Sequence, residues 1–133
     1  MQTINFAIVG SRDYGEEYYI LFRALVDKFI EMHYKDKIIV IITGDEPRGI
    51  DHLAALYAKE KNYECVVFKA RWDLYGNVAG PRRNTHIVNL AQEMLAFPSK
   101  TSKGTKNSIE QMQSVNKPVY VWNWDEVYAN IGK

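Results

Sequence analysis

Ile38-Ile39-Val40-Ile41-Ile42-Thr43 is the stretch whose reading decides the fold. Successive side chains of a strand point to opposite faces. Six residues in a row that are apolar or β-branched therefore leave neither face suited to water. Such a strand belongs at the centre of a sheet covered on both sides, the usual setting of parallel sheets. Four other runs share its character: residues 4–9, 65–68, 94–97 and 119–122. Pro98 stops the fourth strand and Pro118 leads into the fifth.

Helical spacing fills the intervals. Residues 17–32 place Leu21, Leu25, Phe29 and Met32 on one stripe. Residues 51–61 carry Leu53, Ala54, Leu56, Tyr57 and Ala58. Pro81 suits the first turn of a third helix, with Ile87, Leu90 and Ala91 as its inner face. Residues 105–115 supply Ile109 and Met112, and residues 124–131 read as a short last helix. Residues 69–80 and 98–103 are the longest irregular stretches. Strands alternating with helices predict one α/β domain over residues 1–133. Its five-stranded parallel sheet carries helices on both faces, joined by right-handed crossovers.

Composition bounds the function. The 133 residues suffice for one core and not for two. The net charge of +1 argues against a dedicated nucleic-acid binder, which usually carries a basic excess. Cys65 is the single cysteine, so neither an internal disulfide nor a cysteine-based zinc site can form; it reads as a small buried hydrophobe. His33, His52 and His86 have no metal-ligand spacing, and no metal or cofactor is expected. The chain enters its first strand without a charged-then-apolar leader, and its apolar runs are too short to span a bilayer. A soluble cytoplasmic protein with no membrane partner is the expectation.

Four motifs stand where strands give way to loops or helices. Gly10-Ser11-Arg12-Asp13 follows the first strand; Gly10 permits a tight exit, Ser11 offers a hydroxyl and Arg12 a two-pronged cation. Gly44 and Arg48-Gly49-Ile50-Asp51 follow the second and open a helix whose free amides attract anions. Asp45 and Glu46 lie between them and read as solvated carboxylates, with ribose or a hydrated metal as the alternative. Asp51 suits either the helix dipole or a ribose. Gly80-Pro81-Arg82-Arg83-Asn84 joins a helix start to two guanidiniums. Adjacent residues cannot share a helix face, so one arginine should enter the site and the other pair elsewhere. Ser102-Lys103-Gly104-Thr105 is a shortened phosphate loop without the full Walker A spacing. Ligands of parallel sheets bind at the carboxyl ends of the strands, so all four motifs should face one crevice. Trp72 and Tyr75 read as packing residues of the long loop, with base stacking as the alternative.

Taken together, Gly10-Ser11-Arg12-Asp13, Gly44 with Arg48-Gly49-Ile50-Asp51-His52-Leu53-Ala54, Trp72 and Gly76 with Ala79-Gly80-Pro81-Arg82-Arg83-Asn84, and Ala96-Phe97 with Ser102-Lys103-Gly104-Thr105 resemble the YspA-like branch of the SLOG superfamily. That superfamily also holds the DprA DNA-processing proteins and the LOG phosphoribohydrolases. The resemblance runs to about Val121 and implies a Rossmann-like fold that binds a nucleotide or nucleotide-derived ligand, often as a dimer. The second motif is one residue longer than the family's, with Asp45-Glu46 in place of small residues. In the LOG alignment Arg83 matches the arginine, but the glutamate of Pro-Gly-Gly-x-Gly-Thr-x-x-Glu falls on Ser108, and the Pro-Gly-Gly lead-in is absent. Glu110 lies roughly 200° further round the helix. A serine cannot stabilise a developing oxocarbenium ion as a carboxylate does.

The expected ligand site is therefore Gly10, Ser11, Arg12, Gly44, Arg48, Gly49, Asp51, Arg82, Arg83, Asn84, Gly104 and Thr105, with Arg83 and Asp51 as catalytic candidates should the protein be an enzyme. The leading expectation is a sensor or sequestering module for a small nucleotide or ADP-ribose-like ligand. A nucleotide hydrolase using Asp51, Asp45 or Glu46 is the first alternative, and single-stranded nucleic-acid binding the second. Oligomeric state is open, and Tyr18, Tyr19, Phe22 and Val26 read either as the face of a homodimer or as a broad core contact.

Overall fold

The computed structural model describes residues 1–123; the helix read over residues 124–131 lies outside them. The five strands are β1 (Thr3–Gly10), β2 (Ile38–Gly44), β3 (Glu64–Phe68), β4 (Glu93–Phe97) and β5 (Val119–Val121). They form one parallel sheet in the order β3-β2-β1-β4-β5. All neighbouring pairs run in the same direction, so every strand ends on one edge of the molecule. The order reverses between β1 and β4, where a crevice opens beyond the strand ends.

The helices are α1 (Tyr19–His33), α2 (Ile50–Lys61), the single turn α3 (Trp72–Tyr75), α4 (Ala79–Leu90) and α5 (Lys103–Ser114). Alternation along the central strands divides the core in two. Phe6, Ile8, Ile39 and Ile41 face α1 and α2, and Ala7, Val9, Val40 and Ile42 face α4 and α5. A two-sided apolar strand is what the 38–43 run requires, and β2 has six buried residues in succession.

Several local readings change. The core stripe of α1 is Phe22, Val26 and Phe29, while Met32 is exposed and Leu21 and Leu25 are half-buried. Phe22 packs edge-on against Tyr57 and tilted against Phe97, so Phe22 and Val26 are core residues rather than a dimer face. In α4, Val88 takes the buried position expected for Leu90, which is exposed. The stretch 69–80 contains α3 and a 3-10 turn (Gly76–Val78), both too short to leave a periodic signal. Cys65 is half-buried rather than enclosed.

Candidate functional site

The crevice at the switch point has a volume of 490 Å³. Its floor is the end of β1 with Ser11, and its walls come from the loop after β2, the start of α4 and the start of α5. Of the expected residues, Gly10, Ser11, Arg12, Asp51, Arg83, Asn84, Gly104 and Thr105 line it. Gly44 and Gly49 stand behind the lining, and neither Arg48 nor Arg82 reaches it. Arg48 is exposed. The Arg82 guanidinium lies 4.3 Å from the ring centre of Tyr75, a cation–π contact on the outer side of α4. Arg83 is thus the inward arginine of the pair.

Backbone crowding fixes the first two loops against each other. The Ser11 amide donates to the Phe97 carbonyl at 2.9 Å, and the Ile50 amide donates to the Ser11 carbonyl at 3.0 Å. Gly49 makes this possible. Its φ is +84°, and a Cβ there would lie 2.2 Å from the Arg12 Cα. No L side chain fits this conformation or this space. The Ser11 hydroxyl, buried, accepts from the Asp13 amide at 3.0 Å and from the Ser99 hydroxyl at 2.8 Å. Arg12 projects into the crevice with no acid or hydrogen-bond partner among the described residues.

The β2–α2 wall is a bonded network. Arg83 Nη1 donates to Asp45 Oδ1 at 2.8 Å, and Arg83 Nε donates to Asn84 Oδ1 at 3.0 Å. Asp45 Oδ1 also accepts the Ala70 amide at 3.2 Å, tying the loop after β3 to the loop after β2. Asp45 is therefore an internal partner and not a solvated carboxylate. Asp51 is 7% exposed; Oδ1 accepts from the Thr43 hydroxyl at 3.2 Å, and Oδ2 accepts from the Glu46 amide at 3.3 Å. Burial pushes its carboxyl up to about 6, against the pull of the Arg83 charge and of these two hydrogen bonds. Gly44 gives both groups room: a Cβ there would fall 2.5 Å from Asp51 Oδ2 and 2.6 Å from Arg83 Nη1.

The α5 wall differs. Asn84 Nδ2 donates to the Gly104 carbonyl and to Asn107 Oδ1, which braces α4 against the first turn of α5. No side chain caps that turn. Among the described residues, the amides of Gly104 and Thr105 have no acceptor. Thr105 and Ser108, 5% and 2% exposed, line the crevice, and their hydroxyls have no partner among the described residues. Lys103 lines it too, unpaired. Sequence reasoning treated Ser108 only as a missing glutamate, although its i, i+3 spacing from Thr105 places it on the same helix face. Trp72 is 57% exposed at the lip, with its ring edge near Gly80, and Tyr75 is also exposed. Neither is buried, but Trp72 lies against Gly80 and Tyr75 lies under the Arg82 guanidinium. His86 is exposed and stacks on Phe68. No cluster of three or more His, Cys, Asp or Glu suited to a metal occurs among the described residues. No described helix is long and apolar enough to cross a membrane.

Residues 5–75 match the model of the YspA, cpYpsA-related SLOG family. The chain is 29% identical over 118 residues to the Gene 61 protein of Mycobacterium phage D29, covering 84% of this chain and 90% of that one. The fold is similar to DNA processing protein A (DprA) from Streptococcus pneumoniae, with a TM-score of 0.69, 16% identity and 90% of this chain covered. This chain spans 50% of that DprA chain. It is also similar to the Moco Carrier Protein from Chlamydomonas reinhardtii, with a TM-score of 0.58, 16% identity, and 90% and 76% of the two chains covered. At such identities the two structures show a shared fold alone.

Proposed function

This chain belongs to the YspA, cpYpsA-related SLOG family, and from that premise we propose that its crevice binds a nucleotide or nucleotide-derived, ADP-ribose-like ligand, as a sensor or sequestering module. The observation that carries the reading is the set of unclaimed donors at the start of α5: the amides of Gly104 and Thr105 and the buried hydroxyls of Thr105 and Ser108. Buried hydroxyls without partners are costly, and a phosphate supplies acceptors for all of them. The helix dipole and two unpaired cations, Arg12 and Lys103, favour its charge. Trp72 at the lip offers an aromatic face to a base.

The test is a thermal-shift comparison of nucleosides with their mono- and diphosphates and with ADP-ribose. A ligand at 100 times its dissociation constant adds about 2.7 kcal/mol of stability. Phosphorylated ligands should shift the melting temperature and nucleosides should not. Arg12→Ala should lower affinity by about 1.5–3 kcal/mol, the range for a hydrogen bond to a charged group. Equal shifts with nucleoside and nucleotide would sink the phosphate assignment.

Asp51 favours a second reading, hydrolysis of the bound nucleotide. A carboxyl held at about 6 inside the crevice is suited to proton transfer near neutrality. Release of free base from a nucleoside monophosphate, lost in Asp51→Asn, would establish it; intact binding without release favours the sensor.

A further inference from the structure

We infer that the crevice distinguishes ribonucleotides from 2′-deoxyribonucleotides, with the carboxylates of Asp51 and Glu46 accepting the hydroxyl protons of the sugar diol. This rests on the nucleotide reading above. An ionised carboxylate has about four acceptor positions. Asp51 uses two of them, for the Thr43 hydroxyl and the Glu46 amide, at 3.2 and 3.3 Å. The others remain open on a buried group that lines the crevice. The carboxylate of Glu46 lines the same wall and has no hydrogen bond or ion pair among the described residues.

The chemistry of the neighbours selects what can satisfy them. A phosphate is repelled by two carboxylates and has a better home at α5. A further cation is opposed by Arg83, whose guanidinium already stands beside Asp51 across Gly44. Neutral O–H or N–H donors meet neither objection. Of the three parts of a nucleotide, the phosphate takes the donors of α5, and the base takes the exposed ring of Trp72 at the lip. The sugar, with two adjacent hydroxyls, is the part left for the acidic wall. Acidic side chains hold ribose hydroxyls in this way at the strand ends of other nucleotide-binding sheets.

Isothermal titration with AMP, GMP, CMP and UMP and with their 2′-deoxy counterparts tests the inference. The wild type should bind the ribonucleotide of at least one pair about tenfold more tightly than its deoxy counterpart. At least one of Asp51→Asn and the more exposed Glu46→Gln should shrink that ratio, by weakening the ribonucleotide more than the deoxynucleotide, which keeps only its 3′-hydroxyl. Far-ultraviolet circular dichroism and a melting curve establish that each variant is folded. Equal affinity for both members of every pair that binds would overturn the sugar selectivity and leave the nucleotide reading standing. A ratio undiminished in both variants would overturn the assignment to these carboxylates. Binding of none of the eight would overturn this inference and confine the nucleotide reading to diphosphates and ADP-ribose.

Discussion

On the β2–α2 side of the crevice the polar groups are largely spoken for, whereas on the α5 side the donors have no partner among the described residues. Asp45, Arg83 and Asn84 form a chain of hydrogen bonds that also reaches Ala70 and Gly104. The amides of Gly104 and Thr105 and the hydroxyls of Thr105 and Ser108 are left without acceptors. The first wall is a scaffold that holds three loops in register, with open acceptors on Asp51 and Glu46. The second has donors that water or an arriving ligand must satisfy. Two residues from one motif can therefore serve different ends. Arg83 holds the wall together, and Arg82, its neighbour, lies on Tyr75 outside it.

Substitutions can break this contrast, and the largest effect should come from the scaffold's tightest point. Gly49→Ala should destabilise the fold by about 2–5 kcal/mol, combining backbone strain with overlap on the Arg12 backbone. A urea titration reads it as a fall in midpoint, and an unchanged midpoint would refute the crowding argument. Next, Arg83→Met removes one partner of a mostly buried ion pair. Asp45 keeps some solvent, so the expected loss is about 2–3 kcal/mol, below that of a fully enclosed pair. If the scaffold reading is right, Asp45→Asn costs less, because the amide oxygen still accepts from Arg83 and Ala70.

The pH dependence of Asp51 sharpens the comparison. Its carboxyl rises from 3.8 to about 6 on folding, so the native state holds its proton more tightly than the unfolded chain. Below about pH 4 the group is protonated in both states and costs nothing. As pH rises from 4 through 6 the native state must ionise a buried acid, and stability falls by roughly 2 kcal/mol. Asp51→Asn should therefore be more favourable, relative to wild type, at pH 7 than at pH 4.5. Chemical denaturation of both proteins at the two pH values checks this, and a pH-independent difference would contradict it.

The smallest stability effect and the clearest contrast belong to the other wall. Ser108→Ala deletes a buried hydroxyl with no partner, so it should leave stability unchanged or raise it by up to about 1 kcal/mol. The same change should weaken nucleotide binding by about 0.5–1.5 kcal/mol. Loss of stability without loss of affinity would show Ser108 to be a structural residue.

Much of the architecture was legible because its signals are local. The apolar run of β2, the proline at Pro81 and the glycine-rich strand exits each carry their own conformational instruction. The face of α1 was not legible. Leu21-Leu25-Phe29-Met32 and Phe22-Val26-Phe29 are neighbouring stripes that share Phe29, and both are apolar. Periodicity cannot choose between stripes about 100° apart when both could be buried. Packing against Phe97 and Tyr57 makes the choice. The position of Trp72 was not legible either: nothing in the sequence places α3 at the lip of a crevice.

The sequence by itself determined that β2 is a central strand, that glycine-marked loops follow β1 and β2, and that helices open at the third and fourth motifs. These follow from side-chain alternation and from backbone conformations open to few residue types. The strand order, the pairing of Arg83 with Asp45 and the stranding of Thr105 and Ser108 without partners were decided by the tertiary structure alone. Arg83 and Asp45 lie 38 residues apart in the chain. They meet because the crossovers bring the start of α4 against the end of β2. Whether a polar group is satisfied depends on what the fold brings within hydrogen-bonding distance, and local sequence does not contain that information.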